Sequence, residues 1–418
     1  MFQTLIIALL IAYIIIAWRD FRLAVFLFLA ALPTYLLRLD ILGLPTTMLE
    51  LMFGIITIFW LTNLTKEKNN FHFIKPWIIP FALLLIAGVA GVIIAPDKIA
   101  ALGILKAYLI EPIIFFFILY TTLKKFDDTE VALMFLGLGA LPIALFTIYQ
   151  HLTGQAIPIP WDIELRATGV FPYPNAVGLY LGPIIVLGLG AMWRSLEARF
   201  YLRAWFWFLT IGTSVAAIIF SQTEAAWLAI PAALLIIGLF NRVTRWQSFA
   251  LIAAGIIIVL SSTTIQQKIL LQDYSGGVRL KQWTESISML KNNFIFGAGL
   301  AGYPTALEPY HTHQEIEIFQ YPHNLILNIW SELGLLGLLI AVWLIIISFK
   351  TFYQGQKKPT HFTWLVFVSA AALLEMFIHG LVDVPFFKND LAMLTVTILV
   401  FLTWSTTGPY AQPDTSIE

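Results

Sequence analysis

The chain has 418 residues and no net formal charge, with 24 Lys and Arg against 24 Asp and Glu. Apolar residues make up 59% and charged residues 11%, against about 25% charged in soluble domains, so the composition excludes an ordinary soluble fold and predicts an all-α, polytopic integral membrane protein. The balanced charge argues against a nucleic-acid partner, and the absence of cysteine excludes disulfides and thiolate metal sites.

Apolar windows of about 17–25 residues mark transmembrane helices. In chain order they fall near 2–18, 21–38, 47–63, 77–95, 99–120, 130–150, 175–193, 204–221, 224–240, 247–264, 323–349, 361–380 and 388–405. About 12–13 spans in a single domain, 1–418, follow; the first two are short and tightly joined. The first run has neither a basic leader nor a small-residue cleavage site and reads as a retained span. Lys and Arg crowd one set of alternate connections, among them Lys66, Lys68, Lys124, Lys125, Arg199, Arg242, Arg245 and Lys358. The positive-inside rule puts that set in the cytoplasm. Arg38, Lys98, Arg166, Lys268, Arg279, Lys281, Lys291 and Lys388 then lie on the opposite face. Two connections on that face are long, about 151–174 and 265–322, and their aromatic content predicts order rather than disorder.

The first long loop ends Arg166-Ala-Thr-Gly-Val-Phe-Pro-Tyr-Pro-Asn175. Its prolines enforce an extended approach, and Asn175 is placed to cap the next span. Arg166 then lies beside a helix start, either as a ligand-binding cation or as a solvated loop residue. In the second loop, Leu280, Trp283, Ile287, Leu290 and Phe294 recur at steps of three and four, which predicts an amphipathic helix within 265–322. Gly276-Gly277 would leave free N–H groups at its start for an anion, with Arg279 in the first turn able to hold phosphate bidentately or to snorkel to headgroups. His323-Asn324 opens the next span, where an imidazole could take a proton from a hydroxyl or serve as an interfacial polar residue. The charge rule puts Arg166, Arg279 and His323 on one face, which suits a pyrophosphate-bearing donor and a hydroxyl acceptor.

Other polar groups fit less well. His311, His313, Glu315, Glu317 and His323 offer metal-ligand atoms, but their spacing matches no strong motif, and no metal is expected. Glu375, His379 and Asp383 follow one another at steps of four along one helix face, as a polar packing ladder or a functional relay. Lys106 and Glu111 do not share a face, so each is expected to pair with another helix.

At four places the chain resembles the superfamily of O-antigen ligases and O-antigen polymerases, bacterial envelope glycosyltransferases. These are Arg166 to Asn175; Ser221-Gln-Thr-Glu-Ala-Ala-Trp227; Arg279 to Trp283 with Phe296-Gly-Ala-Gly299; and His323-Asn324 with Glu332-Leu-Gly-Leu-Leu-Gly337. Gly380-Leu-Val-Asp-Val-Pro385 extends the likeness. The resemblance implies a metal-independent GT-C-type enzyme with no cofactor, in the bacterial inner membrane, acting at the periplasmic or outer face. Its donor would be a polyprenyl-pyrophosphate-linked glycan and its acceptor a glycolipid or glycan, with membrane lipids around it; ligase and polymerase activity are equally compatible. By the same likeness Arg279 and Arg166 would hold the pyrophosphate and His323 would activate the acceptor hydroxyl. Asn175, Asn324 and Asp383, within the similar segments, would contact substrate. Relatives carry Arg where this chain has Glu224, so the likeness does not extend to that position. The alternative reading is a transporter or channel for a small anion such as bicarbonate, with Lys106, Glu111, Glu375 and His379 lining its path.

Overall fold

The computed structural model describes residues 2–41, 43–64, 75–357 and 360–408; Lys66, Lys68 and Lys358 of the charge argument lie outside them. The chain opens with α1 (Phe2–Arg19) and α2 (Phe21–Ala30), whose start is capped by Asp20 accepting the Leu23 N–H at 3.0 Å. The expected span at 21–38 is interrupted. Pro33 lacks an N–H and its ring crowds the carbonyl four residues back, so the helix gives way to a 3-10 turn at Leu32–Leu36 and then to a hairpin. Strand β1 (Arg38–Ile41) pairs antiparallel with β2 (Leu44–Thr47), the only sheet among the described residues.

Helices α3 (Met48–Leu64) and α4 (Lys75–Ile94) follow, then α5 (Lys98–Ile104) and α6 (Glu111–Thr122), joined by a π-helical stretch at Leu105–Ile110. The wider turn accommodates Pro112, and the Glu111 N–H reaches the carbonyl of Lys106, five residues back. Next come α7 (Phe126–Thr153), α8 (Asn175–Glu197), α9 (Tyr201–Phe220), α10 (Glu224–Gly238) and α11 (Arg245–Ser261). The second long connection carries α12 (Thr263–Ile269), α13 (Tyr274–Asn292) and α14 (Tyr303–Leu307). The chain closes with α15 (Leu325–Lys357), α16 (Thr363–His379) and α17 (Asn389–Thr407).

The molecule is an all-α polytopic membrane protein. Among the described residues seven helices are long and apolar enough to cross a membrane: α4, α5 continued through α6, α7, α8, α9, α15 and α17; other apolar helices, such as α2, α10 and α16, are shorter. In α8 and α17, 83% of the apolar window is buried inside the protein, which puts these two at the centre. Helix α8 packs on α9 and α16, α17 on α6 and α16, and α4 on α15. Small residues permit the close approach expected between membrane helices: a Cβ at Gly188 would come within 2.8 Å of Trp207. By contrast α11 buries only Ser248, and its exposed Leu251, Ile256, Ile257 and Leu260 need lipid around them.

Helix α15 is kinked at Gly334, where φ +66° and ψ −165° leave the helical region. The break releases backbone groups that must find new partners. The segment from Ile295 to Gly299 supplies them: the Leu335 N–H donates to the Ile295 carbonyl (2.9 Å) and the Ala298 N–H to the Ser331 carbonyl (2.7 Å). The Ala301 N–H donates to the buried Glu332 carboxylate at 2.7 Å. The two glycine-rich segments of the family likeness therefore meet as one packing joint. A Cβ on Gly334 would fall 2.3 Å from the Ile295 carbonyl oxygen. Gly334→Ala is expected to destabilise by at least about 2 kcal/mol, from strain and overpacking together. The check is melting temperature in detergent, with Gly212→Ala, whose Cβ would meet nothing within 4 Å, as the unaffected control.

Candidate active site

The loop from Gly380 to Asp383, between α16 and α17, gathers groups from three distant parts of the chain. The Gly380 carbonyl accepts the Leu325 N–H at 2.7 Å, and the Leu381 carbonyl accepts Asn324 Nδ2 at 2.8 Å. The Val382 carbonyl accepts Arg279 Nε at 3.1 Å. Asp383 accepts Asn175 Nδ2 at 3.0 Å on Oδ2, while its Oδ1 lies 3.5 Å from His323 Nδ1. The start of α8, the start of α15 and the side of α13 are thus tied to one short loop.

Asp383 is 2% exposed. Burial alone would raise its pKa, but the neighbouring His323, then His379 and the Val384 N–H, hold it well below the usual carboxylate range. At 3.5 Å, with Nδ1 forming no hydrogen bond, His323 and Asp383 face each other without a formed hydrogen bond. His323 itself sits at φ +44°, a left-handed backbone that non-glycine residues adopt uncommonly. Phe319 and Tyr321 flank its ring at 5.1 and 4.8 Å between centroids.

Several expectations need correction. The span expected to open at His323 begins at Leu325. Asn324 precedes it and accepts the Leu327 N–H at 3.0 Å, so both ends of its amide are engaged within the protein. Asn175 does not cap α8: Pro174 occupies the cap position in helical conformation, and the Asn175 amide instead joins Arg166 to Asp383. Helix α13 starts earlier than its glycines suggest. Asp273 caps it and accepts the Gly276 N–H at 3.1 Å, placing a carboxylate where an anion was expected to bind. Gly276 is there for packing, since a Cβ would lie 2.4 Å from Leu271 Cα.

The two arginines are held differently. Arg166 is half-buried, 5.1 Å from the Trp161 ring, with guanidinium contacts at 3.4 Å to the Ser221 carbonyl and to Asn175 Oδ1. Burial lowers its pKa, Glu164 and Glu224 oppose that, and the charge of Arg279 lowers it further. Arg279 donates through Nη1 to Ser275 at 2.8 Å as well as through Nε to Val382. Glu224 forms an ion pair with Lys268 of α12, which neutralises the carboxylate at the position where the family likeness fails.

Helix α13 turns Gln282, Glu285, Ser286, Met289 and Leu290 inward and leaves Leu280 and Ile287 exposed. The buried Glu285 accepts the N–H groups of Thr312 (2.7 Å) and His313 (2.9 Å) and contacts His311 Nδ1 at 3.1 Å. His313 is 3.4 Å from Glu315. The histidine-rich segment is thereby fastened to α13, and among the described residues no group of three or more His, Asp or Glu could hold a metal ion. Burial would raise the Glu285 pKa, yet these hydrogen bonds more than offset it and hold it below normal. A depressed carboxylate contributes stability above its unfolded pKa and loses it as pH falls through the folded value. Of the remaining groups, Lys106 pairs with Glu50 at 2.9 Å, and His379 Nδ1 lies 3.5 Å from Glu375, both fully buried.

Sequence reasoning did not identify the backbone acceptors of Leu381 and Val382, nor Tyr173, Tyr321 and Lys388 beside them. Carbonyls carry no residue signature; Tyr173 was visible only as part of the Arg166–Asn175 segment.

One loop of this helical membrane protein thus gathers Arg279, His323, Asp383 and Asn175, with Arg166 bonded to Asn175. Residues 208–342 match the family model described as O-antigen ligase, which supports the superfamily of O-antigen ligases and polymerases for this chain. The match includes Glu224, Arg279, His323 and Asn324 and excludes Arg166, Asn175 and Asp383. It supports a glycosyl-transfer role for a multi-pass bacterial membrane protein. No curated protein matches the chain.

Proposed function

We propose that the protein transfers a glycan from a polyprenyl-pyrophosphate carrier to an acceptor hydroxyl on the extracytoplasmic face of the inner membrane. The observation that carries this reading is the convergence of Arg279, Asn175 and His323 on the Gly380–Asp383 loop, with Arg166 bonded to Asn175. Arg279 and Arg166 neutralise the donor pyrophosphate. His323, its Nδ1 turned to Asp383, receives the acceptor proton on Nε2. The acceptor oxygen bonds to the anomeric carbon as the bond from that carbon to the phosphate oxygen breaks, and polyprenyl pyrophosphate leaves with the electron pair. Asp383 stabilises the imidazolium so formed.

Little more is needed chemically. Pyrophosphate is already a good leaving group, so fixed positive charge and an aligned acceptor supply the main terms. Asn175 and Asn324 act by holding Asp383 and the His323 backbone in place. The reading covers ligation to a glycolipid and polymerisation on a second carrier-linked glycan alike, because both need the same donor chemistry. It is tested by incubating purified protein with a synthetic polyprenyl-pyrophosphate oligosaccharide and each acceptor in detergent. An enlarged acceptor with equimolar polyprenyl pyrophosphate is expected; an intact donor with both acceptors would overturn the reading.

A further inference from the structure

Lys388 has no part in the scheme above, yet it closes the same loop. It is 8% exposed, and its Nζ has no hydrogen-bond partner. It lies over the face of Tyr173, with Nζ 4.0 Å from the ring centroid, and within reach of the charge of Asp390. Asp390, also buried, spends Oδ1 on the N–H of Leu391 at 2.9 Å, and no ion pair joins it to Lys388 among the described residues. An ammonium carries three donors and is costly to bury without acceptors; an aromatic face offsets only part of that cost. Tyr173 in turn is joined to Tyr321 through their hydroxyls at 3.3 Å, and the Tyr321 ring stands 4.8 Å from His323. The ammonium, without a hydrogen-bond partner, therefore connects through two tyrosines to the His–Asp pair.

We propose that Lys388, with Tyr173 and Tyr321, forms an oxyanion-binding subsite beside His323 that takes an anionic group of the lipid-linked substrate. The inference rests on the transferase reading and deepens it. Two substrate groups share the required chemistry: a phosphate of the carrier, or the carboxylate of an acidic sugar in the glycan. The tyrosine faces and hydroxyls suit a sugar ring next to either group.

The test compares wild type with Lys388→Met and Lys388→Arg, using one donor with a neutral glycan and one with a uronic acid. Lys388→Met is expected to raise the donor KM about tenfold or more, as loss of a charged hydrogen bond does, and Lys388→Arg to restore most of it. An effect on both donors assigns the phosphate, and an effect on the acidic donor alone assigns the carboxylate; either supports the subsite. Unchanged KM for both donors, or a lower melting temperature with unchanged KM, overturns it. Thermal stabilisation by inorganic pyrophosphate and by glucuronate is measured alongside on the same proteins. If wild type transfers neither glycan, the transferase reading falls. The subsite then stands or falls on whether either anion stabilises wild type but not Lys388→Met.

Discussion

Replacing His323 lowers kcat for glycan transfer by about 10²- to 10⁴-fold, the usual worth of a positioned general base, while leaving the donor KM nearly unchanged. The choice of substitution matters because His323 sits at φ +44°. Alanine there would add backbone strain to the loss of the imidazole. Asparagine tolerates the left-handed conformation better and cannot accept the proton, so His323→Asn isolates the chemistry. The expected signature is a fall in kcat and kcat/KM together, as when an interaction made only in the transition state is lost. A rise in donor KM with kcat intact would instead place His323 among the binding groups. Melting temperature should stay close to wild type for His323→Asn and fall further for His323→Ala.

Asp383→Asn gives the second large effect, through His323 rather than through substrate. The carboxylate accepts from Asn175 and pairs with His323, and a neutral amide can stabilise an imidazolium far less. Losing that support is worth about 1.5–3 kcal/mol, or roughly 10- to 150-fold in kcat. The variant also changes stability against pH in a direction fixed by the pKa. His323 depresses the Asp383 carboxyl in the folded state, so its contribution is complete above the unfolded carboxylate pKa and disappears as pH falls through the folded value. Wild type should therefore lose stability in strong acid more steeply than Asp383→Asn, when unfolding midpoints are compared over an acid series. Equal acid sensitivity in the two proteins would remove the His323–Asp383 pairing from the account.

The outline of the fold was legible because bilayer thickness imposes long apolar runs on the sequence. Where a run was interrupted, the reading was less sharp: Pro33 ended α2 early, and the hairpin from Arg38 to Thr47 left no apolar period. Arg166, Arg279 and His323 stood out because charge and imidazole are rare in so apolar a chain. Their meeting point did not stand out. It is built on the Gly380–Asp383 loop, where backbone carbonyls, which every residue type can offer, hold Arg279 and Asn324, and where Asp383 faces His323 and, through Asn175, reaches Arg166. The capping assignments failed for a related reason. Asn175 has the right side chain to cap a helix, but long-range bonds to Arg166 and Asp383 claim it, and Asp273 pre-empts the amides at Gly276. Glu224, which looked like a charge in the wrong place, carries its own counter-ion in Lys268, contributed by α12 from 44 positions later in the chain.

The central claim is that two arginines at this loop hold the pyrophosphate of a glycan donor. The most direct measurement is initial transfer rate against donor concentration for wild type, Arg279→Ala and Arg166→Ala. The account predicts transfer by wild type and a donor KM raised about tenfold or more in each variant, the loss of a charged hydrogen-bonding partner. Donor kinetics unaltered in both variants would contradict it.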